Sequence, residues 1–184
     1  MRNWKKTRLG DVLRLDLDQI FIDSSENYEM VGVLSFGRGL FHKESVNGSS
    51  TSYKTFYRLG AEHVVMSQLF GWEGALALSN SKFSGKFVSP QFPTFLTDTE
   101  RLDREFLGWW LRQSNIWDEL KGKAKGMGDR RRTLNPDALL MCSIQLPTID
   151  EQRHIVFKIE SLVSKIDEAK QLRQAIQADA QVML

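Results

Sequence analysis

The chain has one cysteine, Cys142, and four prolines in 184 residues. A single thiol cannot close an internal disulfide, which excludes a disulfide-stapled secreted scaffold and fits a reducing compartment. Set in the apolar run Leu139-Leu140-Met141-Cys142, that thiol reads as a small core residue rather than a nucleophile. No stretch approaches the roughly 18 apolar residues of a transmembrane helix. The opening MRNWKKTRLG is basic with no apolar segment behind it, unlike a secretion signal. A cytoplasmic protein with no membrane partner is the expectation. Histidine is scarce as well: His42, His63 and His154 lie far apart, and no Cys/His pair has metal-ligand spacing, so no metal site is expected. Neither glycine-rich nucleotide signature occurs. Charge of one sign is also lacking, since the formal net charge is +2. Any nucleic-acid surface must therefore come from local clustering of cations.

Two short patterns invite a catalytic reading. Asn135-Pro136-Asp137-Ala138 begins like the Asn-Pro-Pro-aromatic loop of amino-methyltransferases, but it lacks the second proline and the stacking aromatic. Capping of a helix by Asn135 with Pro136 at its first position explains the pair fully. Glu119-Leu120-Lys121 matches half of a metal-dependent nuclease motif, with Asp98 or Asp103 upstream as a second carboxylate. So short a pattern arises often by chance, and here it falls on an amphipathic helix whose charges face water. The expectation is a chain with no catalytic residues.

What the sequence does contain is one domain's worth of mixed structure and an appendage. Short apolar runs such as EMVGVLSF, EHVVMSQLF, GALALS and GKFVS, broken by Gly, Ser, Asn and Asp, predict strands. The segment HKESVNGSSTSYKTFY between them is polar enough to predict an exposed loop or hairpin tip. From Asp103 the apolar period becomes helical, through Phe106, Leu107, Trp110, Leu111, Trp117 and Leu120, predicting one helix over 103–121 with Asp103 as N-cap. LNPDALLM predicts a short helix, and CSIQLP a closing strand.

Thr148 and Glu151 then form a capping box after Pro147, a firm helix start. Ile155, Ile159, Leu162, Ile166, Ala169, Ile176, Ala180 and Met183 step by threes and fours, with Arg173 breaking one slot. That is a narrow a/d seam. Some 35 residues of helix would extend about 50 Å, beyond the domain it leaves. Such a seam needs a partner, whether another copy, another subunit or further chain. The bland alternative is a helix folded back on its own domain, which would call for a broader apolar stripe.

Cations gather in three places. Lys121, Lys123, Lys125, Arg130, Arg131 and Arg132 lie in KGKAKGMGDRRRTLNP, opposed locally by Asp129; a glycine-rich loop so charged can follow a phosphate backbone. A solvated loop without a partner is the plain alternative. Arg38, His42, Lys43, Tyr53, Lys54 and Arg58 form a second set, and Ser81, Lys82, Lys86, Ser89 and Gln91 belong to a third in SNSKFSGKFVSPQF. Polar side chains beside cations on loops are what base-edge reading needs in addition to phosphate grip.

SKFSGKFVSPQFPTF, GDRRRTLNPDALL and above all IQLPTIDEQRHIVFKIESLVSKI resemble the specificity subunits of type I restriction-modification systems. The last follows that family's pattern of a strand, Leu/Pro-Pro-x-x-Glu-Gln-x-x-Ile and a long helix, with Thr148 where many members carry a second proline. The resemblance covers residues 1–184 and is most specific at Pro147, Glu151, Gln152 and Ile155. It implies a target-recognition domain followed by a spacer helix, repeated in most members, whose helices pair antiparallel and set the distance between two half-sites. Methyltransferase subunits then dock on the assembly and bring S-adenosylmethionine, and a restriction subunit joins where cleavage occurs. This chain carries one repeat, so it is read as a fragment or as a half-subunit that dimerises, its uncapped end favouring the former.

The expectation is thus an α+β fold: a recognition domain over 1–147 with a mixed, curved sheet and flanking helices, then a coiled-coil helix over 148–184 for dimerisation and subunit docking. It would bind one half of a bipartite double-stranded DNA site and need no cofactor of its own. Phosphate contact falls to Lys121, Lys123, Lys125, Arg130, Arg131 and Arg132, aided by Lys43 and Lys54. Base reading falls to Ser81, Lys82, Lys86, Ser89, Gln91, Arg38 and Tyr53. Two rivals stand beside it: a Mg²⁺-dependent nuclease using Glu119 and Lys121, and a coiled-coil adaptor that never touches DNA.

Overall fold

The computed structural model describes residues 4–126 and 132–182, with side chains as far as residue 177. In chain order its strands are β1 (Lys5–Arg8), β2 (Leu13–Leu15), β3 (Gln19–Phe21), β4 (Asn27–Tyr28), β5 (Val31–Leu34), β6 (Gly39–His42), β7 (Val46–Asn47), β8 (Thr55–Arg58), β9 (Val64–Met66), β10 (Leu76–Leu78), β11 (Phe87–Val88), β12 (Thr94–Thr97) and β13 (Ser143–Leu146). The helices are α1 (Arg104–Leu111), α2 (Ser114–Lys123), α3 (Pro136–Leu140) and α4 (Ile149–Val182).

The fold is α+β. Its β structure is divided among small sheets, the larger ones ordered β10-β9-β12-β2 and β11-β8-β3. Among the described residues every strand pair is antiparallel, and the parallel element is an isolated bridge between Met30 and Phe87. Strands of two to four residues bury too little to stand alone, so helices must supply the rest of the core. Val64, Met66, Leu76 and Phe95 from the four-stranded sheet meet Leu107 and Leu111 of α1, Leu120 of α2 and Leu139 of α3. Each such side chain contributes about 1.5–3 kcal/mol on leaving water. A smaller cluster under the three-stranded sheet centres on Tyr28, whose ring meets Phe56 at 5.3 Å and Phe87 at 5.1 Å, both edge-on.

Two expectations are corrected. The polar segment 42–57 is not wholly loop: it runs into β8, the central strand of its sheet, and Phe56 is 1% exposed. One buried alternation at the end of a serine-rich stretch is too short to show as periodicity. The single helix expected over 103–121 is two helices, with Gln113 extended between them (ψ 131). Ser114 and Asn115 occupy the positions where the apolar stripe would continue from Leu111, so the chain restarts and α2 brings Ile116 and Leu120 inward. Trp117 then closes over Gly74, where a Cβ would lie 2.4 Å from its ring.

Caps follow the sequence. Asp103 accepts from Phe106 N at 2.9 Å, and Asn135 accepts from Asp137 N at 2.9 Å. Around Thr148 the capping box is reciprocal, Thr148 N donating to Glu151 and Glu151 N to Thr148 Oγ1. Beneath it Gln152 is fully buried. Its Oε1 accepts from Asp103 N at 2.8 Å, while Nε2 donates to Arg101 O and Pro147 O, both at 2.9 Å. One amide thereby ties the root of α4 to the start of α1 and the end of β13. His63 is 5% exposed and contacts Asp16 at 3.0 Å. Because its Nδ1 accepts from Gly60 N, Nε2 carries the proton and donates to Asp16.

Candidate nucleic-acid interface

The first basic set assembles where α2 ends, because Lys121 and Lys123 occupy its last turn, the end at which the helix dipole favours cations. They are not equivalent. Lys123 donates to Glu119 at 2.6 Å, which holds its ammonium charged to higher pH than usual. Lys121 instead places its ammonium 5.9 Å from the centre of the Trp72 ring. Lys125 is exposed, and its backbone exchanges two hydrogen bonds with Thr133, Lys125 N to Thr133 O at 2.9 Å and the reverse at 2.8 Å. Arg132 follows on the other side of that bridge, and Arg130 and Arg131 lie outside the described residues. Beside the bridge opens a cleft of about 810 Å³, lined in part by Gln68, Lys123, Lys125, Asn135 and Asp137.

The second and third sets are dispersed. Arg38 sits in the β5–β6 turn, its Nε donating to Ser35 O at 3.0 Å. Lys43 follows β6, exposed, its N bonded to Met30 O. Tyr53 and Lys54 are exposed ahead of β8, the Tyr53 ring 6.2 Å from Phe56. Ser81 and Lys82 are exposed in the turn after β10, where Lys82 N donates to Asn80 Oδ1. A contact of 4.9 Å between the His42 and Phe83 rings brings the chain around Lys43 up to the chain around Lys82. Lys86 is engaged elsewhere, in an ion pair with Glu29. Ser89 and Gln91 are half-buried before β12. Gln68 N donates to Gln91 O and Leu134 N to Gln68 O, so Gln91 belongs with the cleft rather than with Lys82.

The sequence reading passed over Arg112. Its guanidinium lies 4.6 Å from the centre of the Trp109 ring, just past α1. Arg38, Arg112 and Lys121 thus each cover an aromatic ring. The signal was present as Trp109-Trp110-Leu111-Arg112, but the helical period runs through Trp110 and skips Trp109, which is half-buried beside it.

The carboxylates of the nuclease pattern have other tasks. Glu119 pairs with Lys123, Asp103 caps α1, and Asp98 accepts from Glu100 N. Burial pushes the Cys142 thiol up to about 12, and it donates to Ala138 O.

Helix α4 changes character along its length. Val156 is buried, Ile155 packs against the main core and Ile159 is half-buried. From Leu162 to Gln177 every side chain is exposed, with Leu162 60%, Ile166 53% and Ile176 68% accessible. Ala169 lies in the same exposed stretch, and the side chains of Ala180 and Met183 lie outside the described residues. Phe157 is 70% exposed and off the seam.

Residues 1–178 match the family described as the type I restriction modification DNA specificity domain. The fold is similar to that of the HsdS subunit from Thermoanaerobacter tengcongensis, with a TM-score of 0.78 and 22% identity over 99% of this chain and 47% of that one. It is similar too, at a TM-score of 0.73 and 22% identity over 100% and 48%, to a chain from a structure addressing complex assembly and conformational transition of the type I restriction-modification system. The type I S subunit from M. genitalium gives 0.55 and 16% over 90% and 40%. The chain therefore spans about half the length of the solved relatives it matches. No curated protein matches it.

Proposed function

Because the chain belongs to the type I restriction modification DNA specificity domain family, we propose that it recognises one half of a bipartite duplex DNA target within a specificity subunit. Methyltransferase subunits docked on that subunit modify adenine with their own S-adenosylmethionine, in the cytoplasm, and a restriction subunit joins them where cleavage follows. This chain selects the site and carries no catalytic residue. Residues 1–147 are the recognition domain and 148–184 the spacer helix. The observation carrying the proposal is that the family match runs through both parts, into a helix whose apolar seam is uncovered from Leu162 to Ile176.

Phosphate contact is assigned to Lys121, Lys125 and Arg132 with Arg130 and Arg131, supported by Lys43 and Lys54. Lys123 is secondary, being held by Glu119. Base reading is assigned to Arg38, Tyr53, Ser81, Lys82, Ser89 and Gln91, with Lys86 last because Glu29 engages it. Ile159, Leu162, Ile166, Ala169 and Ile176 meet a second spacer helix, from another repeat or another copy. Ile155 anchors the helix root instead.

The test uses the full chain assembled with methyltransferase subunits. Joint substitution Lys121→Ala, Lys125→Ala and Arg132→Ala weakens binding to all duplexes alike, and the slope of log affinity against log salt falls by about three. Unchanged affinity and slope would favour the adaptor reading. Cleavage by the chain alone, lost in Glu119→Ala, would favour the nuclease.

A further inference from the structure

The turn joining β5 to β6 holds Phe36 at φ +63, followed by Gly37 at φ +64. Glycine adopts that conformation at little cost, but a bulky aromatic is strained there. Burial does not offset the strain, because Phe36 is 60% exposed. The turn is instead held from outside: Phe36 N donates to Glu73 O at 2.8 Å and Gly37 N to Gly74 O at 2.9 Å. The Phe36 ring stands edge-on to Trp117, centroids 6.1 Å apart. A strained residue that its neighbours over-determine points to a use for its geometry.

Two cations lie close to this turn. Arg38 reaches 5.9 Å from the ring centre. Arg112 borders the turn so closely that a Cβ at Gly37 would meet its Cγ at 2.9 Å. Among the described residues neither guanidinium has a carboxylate partner; Arg38 bonds Ser35 O and Arg112 stacks on Trp109. The acids nearby are otherwise occupied, Glu73 near the Ser35 hydroxyl at 3.4 Å and Glu105 on Arg104 at 3.2 Å. An exposed aromatic on an externally held turn, with two arginines nearby that have no carboxylate partner among the described residues, suits a polyanion with an apolar interior.

We propose that this tip is a groove probe for duplex DNA, with Phe36 in apolar contact inside a groove while Arg38 and Arg112 hold neighbouring phosphates. The proposal rests on the DNA-recognition reading above, adds Phe36 and Arg112 to it, and moves Arg38 from base reading to phosphate contact.

Phe36→Gly separates this role from a structural one, because glycine relieves the backbone while removing the ring. The probes are a duplex carrying the site methylated by the full complex and an equally long duplex without it. For Phe36→Gly in the complex we expect the melting temperature to equal or exceed wild type, affinity for the site duplex to fall about tenfold, and binding to the other duplex to change little. Arg38→Ala and Arg112→Ala should each weaken both duplexes and lower the salt slope by about one. Wild-type affinity of Phe36→Gly for the site duplex would overturn the proposal while leaving the DNA reading intact. Loss of methyltransferase subunits from Phe36→Gly would overturn it in favour of a protein contact. Failure of the wild-type complex to bind either duplex would overturn the DNA reading and this proposal together.

Discussion

The root of α4 and its outer turns are built from one amphipathic pattern but do different work. At the root, Gln152 and Val156 are buried and Ile155 joins the main core. Further out the same spacing continues through Leu162, Ile166 and Ile176 with every side chain in solvent. An apolar seam therefore does not report what it packs against. What separates the two regions is the polar pin: a buried amide must find partners, and Gln152 finds three on the chain's own backbone, whereas no such residue occurs among the described outer side chains.

The sharpest way to break this contrast is Ile166→Asp with Ile176→Asp. Folding of the globular part should change by less than about 0.5 kcal/mol, since both positions are exposed. Pairing with a second spacer helix should be abolished, read as molar mass by light scattering for self-association and as lost helicity near 222 nm. At the root the reverse should hold. Gln152→Ala strands Asp103 N, Arg101 O and Pro147 O, costing about 3 kcal/mol in chemical denaturation, with more rapid amide exchange in the first turns of α4. Asp103→Ala removes one cap and costs about 1 kcal/mol.

Cys142 gives the smallest effect. Its thiol value is raised from 9.0 to about 12, so the fold favours the protonated form. That contribution is complete below pH 9 and lost as pH rises toward 12, which denaturation at pH 8 and pH 10.5 would detect. At pH 8 a thiol reagent should modify Cys142 only as fast as the protein opens.

Much of the local structure was legible because it is written in single residues. Asp103, Asn135 and Thr148 with Glu151 cap helices as their types require. The split between α1 and α2 was less visible, since Trp110 and Trp117 keep helical spacing across a break that only Ser114 and Asn115 betray. Strand β8 was hidden by its polar neighbours. In the candidate interface composition showed where cations cluster along the chain, but not that Lys86 and Lys123 would be engaged by Glu29 and Glu119. The first pairing joins residues 57 positions apart in the chain, and the second depends on α2 running as far as Lys123. Phe36 and Arg112 escaped notice because their meaning lies in a backbone angle and a neighbour across the chain.

The three bonds of Gln152 also bear on accuracy of measurement. A helix of 34 residues is about 50 Å long, so a tilt of about 5° at its root moves its far end by about 4 Å, close to the 3.4 Å rise between successive base pairs. If a spacer helix is to count base pairs between half-sites, its tolerance is set at the hinge point rather than along the rod. Loosening that amide would then be expected to blur the permitted spacing of a split site before it weakened recognition of either half.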